Sequence, residues 1–536
     1  MKAPADETSP LLVTNIQNNE NASNSRNPGQ RVPLLPVVVA LVAALVFVGY
    51  YQRFTPRRVQ LQQTERIIET ISLGDTDTMF PDNFVWGSAT SAYQIEGSTH
   101  KDGRGTSIWD TWCDDPNNCA GDTADVACDH YHKIKEDVSL MKDIGLQAYR
   151  FSISWPRIFP MGNDRQPNRK GIRFYNMLID ELVANGITPW VTLYHWDLPQ
   201  NLEDQYGGWL SPQIIDDFAR YASTCFEVFG DRVKHWITIN EAWTVAVHGY
   251  DQGVKAPGHV SSTEPYLVAH NLLLAHAKAA KRYRDEYTEV QGGIIGISNS
   301  GDYRYPLDAD SAADTAAANR AIEWQLAWFT DPIFADGDYP QSMKAILGKR
   351  LPIFTEQERR EVVGSADFFG LNHYSSALSS EPKTKATFSG EYWVDQQVDY
   401  SSDRSWKKNC MGWNIVPDGG RKLLLWIKDR YHNPPIYITE NGSCEDEPTL
   451  ASAQNDTGRR DYLEGYIRAF GKAIQEGVSL RGYFAWSLMD NFEWSFGLKK
   501  RFGIVRVDFD TLERHLKLSA RWYNDTIRSN GRNIGV

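Results

Sequence analysis

From Phe80 onward the chain alternates short runs rich in β-branched and aromatic residues with longer stretches whose apolar residues recur every third and fourth position. The short runs predict strands over residues 84–88, 148–152, 188–194, 235–240, 294–299, 368–372, 436–440 and 482–486. The stretches between them predict helices, among them 132–144, 172–185, 212–229 and 421–431. Eight strands, each followed by helix, without a linker between them, predict one α/β domain over residues 79–530: a single (β/α)8 TIM barrel with long loops. An open doubly wound sheet would need a glycine-rich phosphate turn after its first strand, and the chain there reads Gly87-Ser-Ala-Thr-Ser.

Upstream the pattern changes. Residues 1–33 are rich in Asn, Ser, Pro and Gln and predict a disordered tail. The run from Leu34 to Tyr51 holds 18 residues without a charge, between Arg31 and Arg53. Residues 34–52 are therefore expected to form a transmembrane helix, with 53–78 as a juxtamembrane linker. The run starts too late and is too long for a cleaved signal peptide. Arg53, Arg57, Arg58 and Arg66 after the span outnumber Arg26 and Arg31 before it, which favours a cytoplasmic C-terminal domain. Three features favour the opposite. Glu7-Thr-Ser-Pro-Leu11-Leu12 resembles an acidic dileucine signal for sorting adaptors, Asn455 and Asn524 begin glycosylation sequons, and Cys113 and Cys119 are spaced for a loop disulfide. The expectation is a type II single-pass protein with its tail in the cytosol and its C-terminal domain lumenal, in vacuole or lysosome, or extracellular. A sequon at Asn21 lies on the other side of the span.

Composition narrows the chemistry. With 56 basic and 68 acidic residues among 536, the formal charge of −12 excludes nucleic-acid binding through bulk positive charge. At 41% hydrophobic and 23% charged, the chain is that of an ordinary globular protein. The 6 cysteines are too few for a disulfide scaffold. Cys113, Cys119, Cys128, His130 and His132 cluster in sequence, but the spacing C-x5-C-x8-C lacks a zinc knuckle. The preferred reading is a Cys113 to Cys119 disulfide with Cys128 and Cys225 as buried thiols.

In a (β/α)8 barrel chemistry sits at the C-terminal ends of the strands. The polar and aromatic residues at those ends are Gln94, Arg150, His195, Trp196, Asn240, Glu241, Asn372, Tyr374, Glu440, Asn441, Trp486, Glu493 and Trp494. This set is carboxylate, amide and indole, with no metal-ligand cluster. A single glutamate at a strand end is ordinarily a solvated cap or an ion-pair partner. Glu241 and Glu440, both emerging from apolar strands into one pocket, are instead the minimum equipment for cleaving a glycosidic bond, one as acid and one as nucleophile. That chemistry needs their acidities pushed apart. Arg150 is placed to hold Glu440 ionised, leaving Glu241 as the protonated acid.

The segments Asn83-Phe-Val-Trp-Gly-Ser-Ala-Thr-Ser-Ala-Tyr-Gln-Ile-Glu96-Gly97, Tyr149-Arg-Phe-Ser-Ile-Ser-Trp155, Thr192-Leu-Tyr-His-Trp-Asp197, Thr238-Ile-Asn-Glu241, Tyr437-Ile-Thr-Glu-Asn-Gly442 and Tyr483-Phe-Ala-Trp-Ser-Leu-Met-Asp-Asn-Phe-Glu-Trp494 resemble those of family 1 glycoside hydrolases, the β-glucosidase family. The similarity runs in order from about residue 79 to residue 524. It implies a retaining exo-β-glycosidase, foremost a β-glucosidase acting on a β-glycoside substrate, with no metal or organic cofactor. Glu241 would be the acid/base and Glu440 the nucleophile. By the same resemblance Gln94, His195, Asn240 and Glu493 would bind the glycone, with Trp486 as stacking platform and Trp494 and Phe502 beside it, and Trp196 would be a further substrate-binding residue. Arg150, Asn372 and Tyr374 would support the nucleophile, and Trp413 would border the aglycone. Trp155, Trp236 and Trp324 are assigned to the core. Glu at 241, not the Gln of plant thioglucosidases, keeps acid catalysis intact, and Glu493 argues against a phosphorylated glycone. A transglycosylase and a catalytically silent glycan-binding receptor are the alternatives, and the same residues serve glucose, galactose and fucose in this family.

Overall fold

A computed structural model describes residues 80–383 and 391–534 of the chain. The expected tail, membrane span, linker and sorting motif lie outside the described residues. Among the described residues no helix is long and apolar enough to cross a membrane.

Eight strands make the barrel: β1 Val85–Ala89, β2 Ala148–Ser152, β3 Thr188–Tyr194, β4 His235–Asn240, β5 Ile294–Ser300, β6 Phe368–Asn372, β7 Ile436–Asn441 and β8 Leu480–Trp486. They close in the order β1-β8-β7-β6-β5-β4-β3-β2. All eight neighbouring pairs are parallel. Such strands are covered on both faces, by the barrel interior and by the helices, so their sequences are near-continuous apolar runs. β2 is buried at every position. Strand β8 starts earlier than the alternation suggested, with Leu480 paired to Ile436. Gly482 hides this start: a Cβ there would lie 2.9 Å from the Tyr437 ring and 3.0 Å from Val85, so close strand approach selects a residue that reads as a break.

The main helices are α1 His130–Ile144, α2 Arg169–Ala184, α3 Gln213–Phe229, α4 Ala242–Tyr250, α5 Pro417–Arg430, α6 Thr457–Gln475 and α7 Leu518–Arg528. Helix α1 ends at Gly145, which takes the left-handed conformation (φ 81°) and bonds back to the Met141 and Lys142 carbonyls. Asn168 caps α2 by accepting from the Lys170 N–H. Helix α5 begins four residues before the expected 421, with Pro417 in its first turn. Gly419 and Gly420 interrupt the apolar periodicity there.

The barrel interior is filled by Ala89, Ala148, Trp190, Ile237, Phe368 and Phe484, forming a floor beneath Trp486 and Phe502. Trp155, Trp236 and Trp324 are completely buried in the surrounding layer, as expected of core residues. Above the barrel, Tyr303–Pro306, Ser376–Ser380 and Asp399–Ser401 form a three-stranded sheet from the loops after β5 and β6. Cys113 is joined to Cys119, and Cys128 and Cys225 are buried thiols. The Cys128 thiol donates to the Asp490 carbonyl at 3.0 Å, and His130 Nδ1 pairs with Asp137 at 2.7 Å. Cys410 and Cys444, whose spacing gives no pairing signal, form a second disulfide.

Candidate active site

Glu440 is the penultimate residue of β7, and Glu241 follows β4 directly, so β5 and β6 separate the two strand tips. Glu241 adopts φ 48°, ψ 63°, a left-handed conformation that non-glycine residues seldom take. Its N–H donates to the Ser298 carbonyl of β5 at 2.8 Å, and helix α4 begins one residue later. Trp196 (φ 78°) and Trp494 (φ 50°) share this property. Three residues with this strained backbone thus line one cavity.

That cavity, of about 610 Å³, is lined by His195, Trp196, Glu241, Asn372, Tyr374, Trp413, Glu440, Trp486, Glu493, Trp494 and Phe502. Each of these was expected from the sequence. Both oxygens of Glu440 are held. Arg150 Nη1 donates to Oε1 at 2.6 Å, and the Tyr374 hydroxyl donates to Oε2 at 2.7 Å. Arg150 is fully buried and also donates to Asn240 Oδ1 (2.6 Å), Thr192 Oγ1 (3.2 Å) and the Thr439 carbonyl (3.0 Å), which fixes its guanidinium. On the facing side, Glu241 accepts from Asn372 Nδ2 at 2.8 Å and from the Thr244 hydroxyl at 2.7 Å. Asn372 in turn accepts from Thr439, the residue before Glu440, at 2.7 Å. One amide therefore ties the two strand tips together.

Gln94, Asn240 and Arg150 stand behind the cavity wall, fully buried. Asn240 Nδ2 lies 3.1 Å from His195 Nε2. The Gln94 amide donates to Asn491 Oδ1 (3.0 Å) and the Phe492 carbonyl (2.9 Å) and accepts from Ser91 (2.7 Å). Gln94 thus braces the segment that carries Glu493. The rings form a continuous wall: Trp196 packs on Trp494 at 4.4 Å between centroids, His195 stacks on Trp486 at 5.9 Å, and Trp413 meets Tyr374 at 5.4 Å and Phe502 at 5.8 Å. Flat indoles beside amides and carboxylates suit a pyranose, with C–H faces and a rim of hydroxyls.

The electrostatics correct one expectation. Burial pushes Glu440 up to about 7; Arg150 pulls it down, the neighbouring Glu241 raises it further, and the Tyr374 hydrogen bond lowers it. Arg150 alone does not hold Glu440 in the ordinary carboxylate range, because desolvation of a fully enclosed carboxylate is the larger effect. Burial also raises Glu493, against the pull of Lys255. Burial, with Arg150 and Lys255, drives His195 far below its usual value, so its imidazole is neutral.

A model of glycosyl hydrolase family 1 matches residues 76–532. The chain belongs to this family. Raucaffricine-O-β-D-glucosidase of Rauvolfia serpentina is 45% identical over 494 residues, covering 84% of this chain and 91% of the relative. β-Glucosidase 6 of Oryza sativa subsp. japonica is 46% identical over 481 residues, covering 85% and 92%. Among solved structures, a rice β-glucosidase mutant in covalent complex with Glc shares 45% identity at a TM-score of 0.81, covering 83% of this chain and 98% of that one. A β-glucosidase from the fungus Humicola insolens in complex with glucose shares 42% identity at a TM-score of 0.81, covering 84% and 98%. The protein is accordingly a glycoside hydrolase of family 1 on a (β/α)8 barrel.

Several wall residues of this family 1 site were not anticipated. Trp243, Thr244, His248 and Lys255 come from α4 and the turn after it, and Asp302, Arg304 and Trp393 from the rim. The aromatic-rich sequence of α4 directly after Glu241 was the available signal for the first group. The rim residues carry no local pattern.

Proposed function

We propose that the protein is a retaining exo-β-glucosidase that removes terminal non-reducing β-D-glucosyl residues by double displacement. Glu440 attacks the anomeric carbon while Glu241 gives its proton to the leaving oxygen, so the glycosidic bond breaks as the Glu440–C1 ester forms. Glu241, now a carboxylate, takes a proton from water, whose oxygen displaces Glu440 and restores both side chains. The observation that carries this reading is the fixation of Glu440. Donors from Arg150 and Tyr374 hold both its oxygens at 2.6 and 2.7 Å, aligning one carboxylate as nucleophile opposite Glu241. The β-glucosidase relatives and the glucose-bearing structures support glucose as glycone.

Release of nitrophenol from aryl β-glucoside and β-galactoside by the full-length protein tests this. The expected result is faster release from the glucoside, reduced at least about a thousandfold by Glu440→Gln. No release from either substrate by folded protein would overturn it in favour of a glycan-binding receptor, and transfer of the sugar to added alcohols in preference to water would make the protein a transglycosylase.

The sequence supports a type II topology, with the span at 34–52, the sorting motif at Glu7 to Leu12 in the cytosol, and the catalytic domain lumenal or extracellular. The two disulfides are consistent with an oxidising compartment.

A further inference from the structure

Lys255 lines the active-site cavity, in the turn that follows α4. Its N–H donates to the His248 carbonyl at 3.2 Å, and the preceding carbonyl, of Val254, accepts from the Ser495 hydroxyl at 2.9 Å, so the turn is fastened to both walls. The ammonium sits 4.1 Å from the centre of the Trp196 ring, a cation–π contact that gives it direction but leaves its three donors without an acceptor. Among the described residues it has no ion pair and no side-chain hydrogen bond. The other cations of the site are engaged: Arg150 with Glu440, and Arg304 with Asp302 at 3.3 Å and Gln325 at 2.9 Å.

Its place in the chain shows which part of a substrate it meets. Glu241, Thr244, His248 and Lys255 belong to one strand–helix–turn unit, whereas the groups holding Glu440 come from the loops and strands of β2 and β6. Glu241 is the acid that faces the leaving oxygen, so Lys255 flanks the leaving group. Three carboxyls share the cavity, but none touches Lys255, Glu440 is paired with Arg150, and burial favours the neutral form of Glu493. Burial draws Lys255 itself down to about 8, with Glu241, Glu493 and Glu440 opposing, which leaves it protonated at neutral pH. The result is an unpaired positive charge beside the bond to be cleaved.

The geometry points to Lys255 as a specificity determinant that receives an anionic group, such as a carboxylate, carried on the leaving group of the β-glucoside. This rests on the β-glucosidase reading above. A partly enclosed ammonium with free donors gains more from a carboxylate than from a neutral amide of the same shape.

The test uses carboxyphenyl β-D-glucosides, with the carboxylate ortho or para to the glycosidic oxygen, and their carboxamide counterparts. For each pair, the ratio of kcat/KM for the carboxylate to that for the carboxamide is measured in the full-length wild type, Lys255→Gln and Lys255→Arg. Comparing ratios between proteins removes the intrinsic difference in leaving ability. The expected result is a ratio about tenfold lower in Lys255→Gln for at least one pair, the scale of one charge-assisted hydrogen bond, and largely restored in Lys255→Arg. Turnover of the carboxamide glucosides by the variants shows that they are folded. Equal ratios in wild type and Lys255→Gln for both pairs, with the carboxamides still hydrolysed, would overturn the inference and leave the β-glucosidase reading standing. Hydrolysis of none of the glucosides by the wild type would overturn both.

Discussion

Tyr374 and Glu241 pull the acidity of Glu440 in opposite directions, the hydroxyl by donating to the carboxylate and the second carboxyl by repelling it. With Glu440 raised to about 7, the acid side of the kcat/KM profile reports protonation of the nucleophile, shared with its neighbour as a macroscopic value. Removing a group that lowers the pKa moves this limb to higher pH, and removing one that raises the pKa moves the limb to lower pH. Tyr374→Phe is therefore expected to shift the acid limb upward and to lower kcat/KM by roughly ten- to a hundredfold, the loss of one hydrogen bond to a charge. Glu241→Gln, assayed with a leaving group that needs no protonation, is expected to shift the limb downward. Profiles of kcat/KM over pH check both, and shifts of the same sign in the two variants would contradict this electrostatic account. The two glutamates were legible in the sequence because each ends an apolar strand-length run. Lys255 was not, because a single lysine in a turn carries no pattern and its meaning comes from Trp196, remote in sequence but packed against it.

Strand β7 and the segments after it are secured by buried charges. Arg459 pairs with Asp456 and, at 2.6 Å, with Glu447; Lys517 bridges Glu447 (2.5 Å) and Asp490 (2.8 Å); and Arg501 closes on Asp490 at 2.8 Å. The Asp490 carboxylate also accepts from the Gly503 N–H at 3.0 Å, joining this cluster to the loop that carries Glu493 and Phe502. Burial opposes ionisation of Asp490, but Lys517, Arg501 and Arg459 outweigh it and hold its pKa below the usual carboxylate range. Burial and Arg459 in turn draw Lys517 down. For Asp490 the stabilisation is present above the unfolded-state value and is lost as pH falls through the lower folded-state value. Asp490→Asn takes the paired carboxylate from Arg501 and leaves buried Lys517 with Glu447 alone, and is expected to cost about 3–5 kcal/mol in urea unfolding at neutral pH. A change below about 0.5 kcal/mol, the range of an ordinary surface substitution, would contradict a role for the cluster in stability. At this scale the elements differ in how plainly the sequence marks them. Strands β2, β3, β4 and β6 match their expected bounds because their apolar runs end at polar or turn residues. The Cys410 to Cys444 bond was missed because the two thiols are 34 residues apart and meet only when the loop bearing Trp413 packs on the chain beyond β7.

The molecule as a whole combines a barrel whose order follows from its alternation with an N-terminal segment whose composition sets it apart. Its two C-terminal sequons differ in accessibility. Asn455 is exposed, whereas the Asn524 side chain donates to the Asp143 and Ile144 carbonyls at 3.0 and 2.8 Å. The proposed type II topology therefore predicts a glycan at Asn455 and none at Asn524, read as an endoglycosidase-sensitive gel shift abolished by Asn455→Gln. A glycan at Asn21 would contradict that topology. The central claim, double displacement through Glu440, is tested most directly by following the anomer released from an aryl β-glucoside by proton NMR before mutarotation. The account predicts β-glucose as the first product, with α-glucose appearing only at the rate of mutarotation; α-glucose as the first product would contradict it.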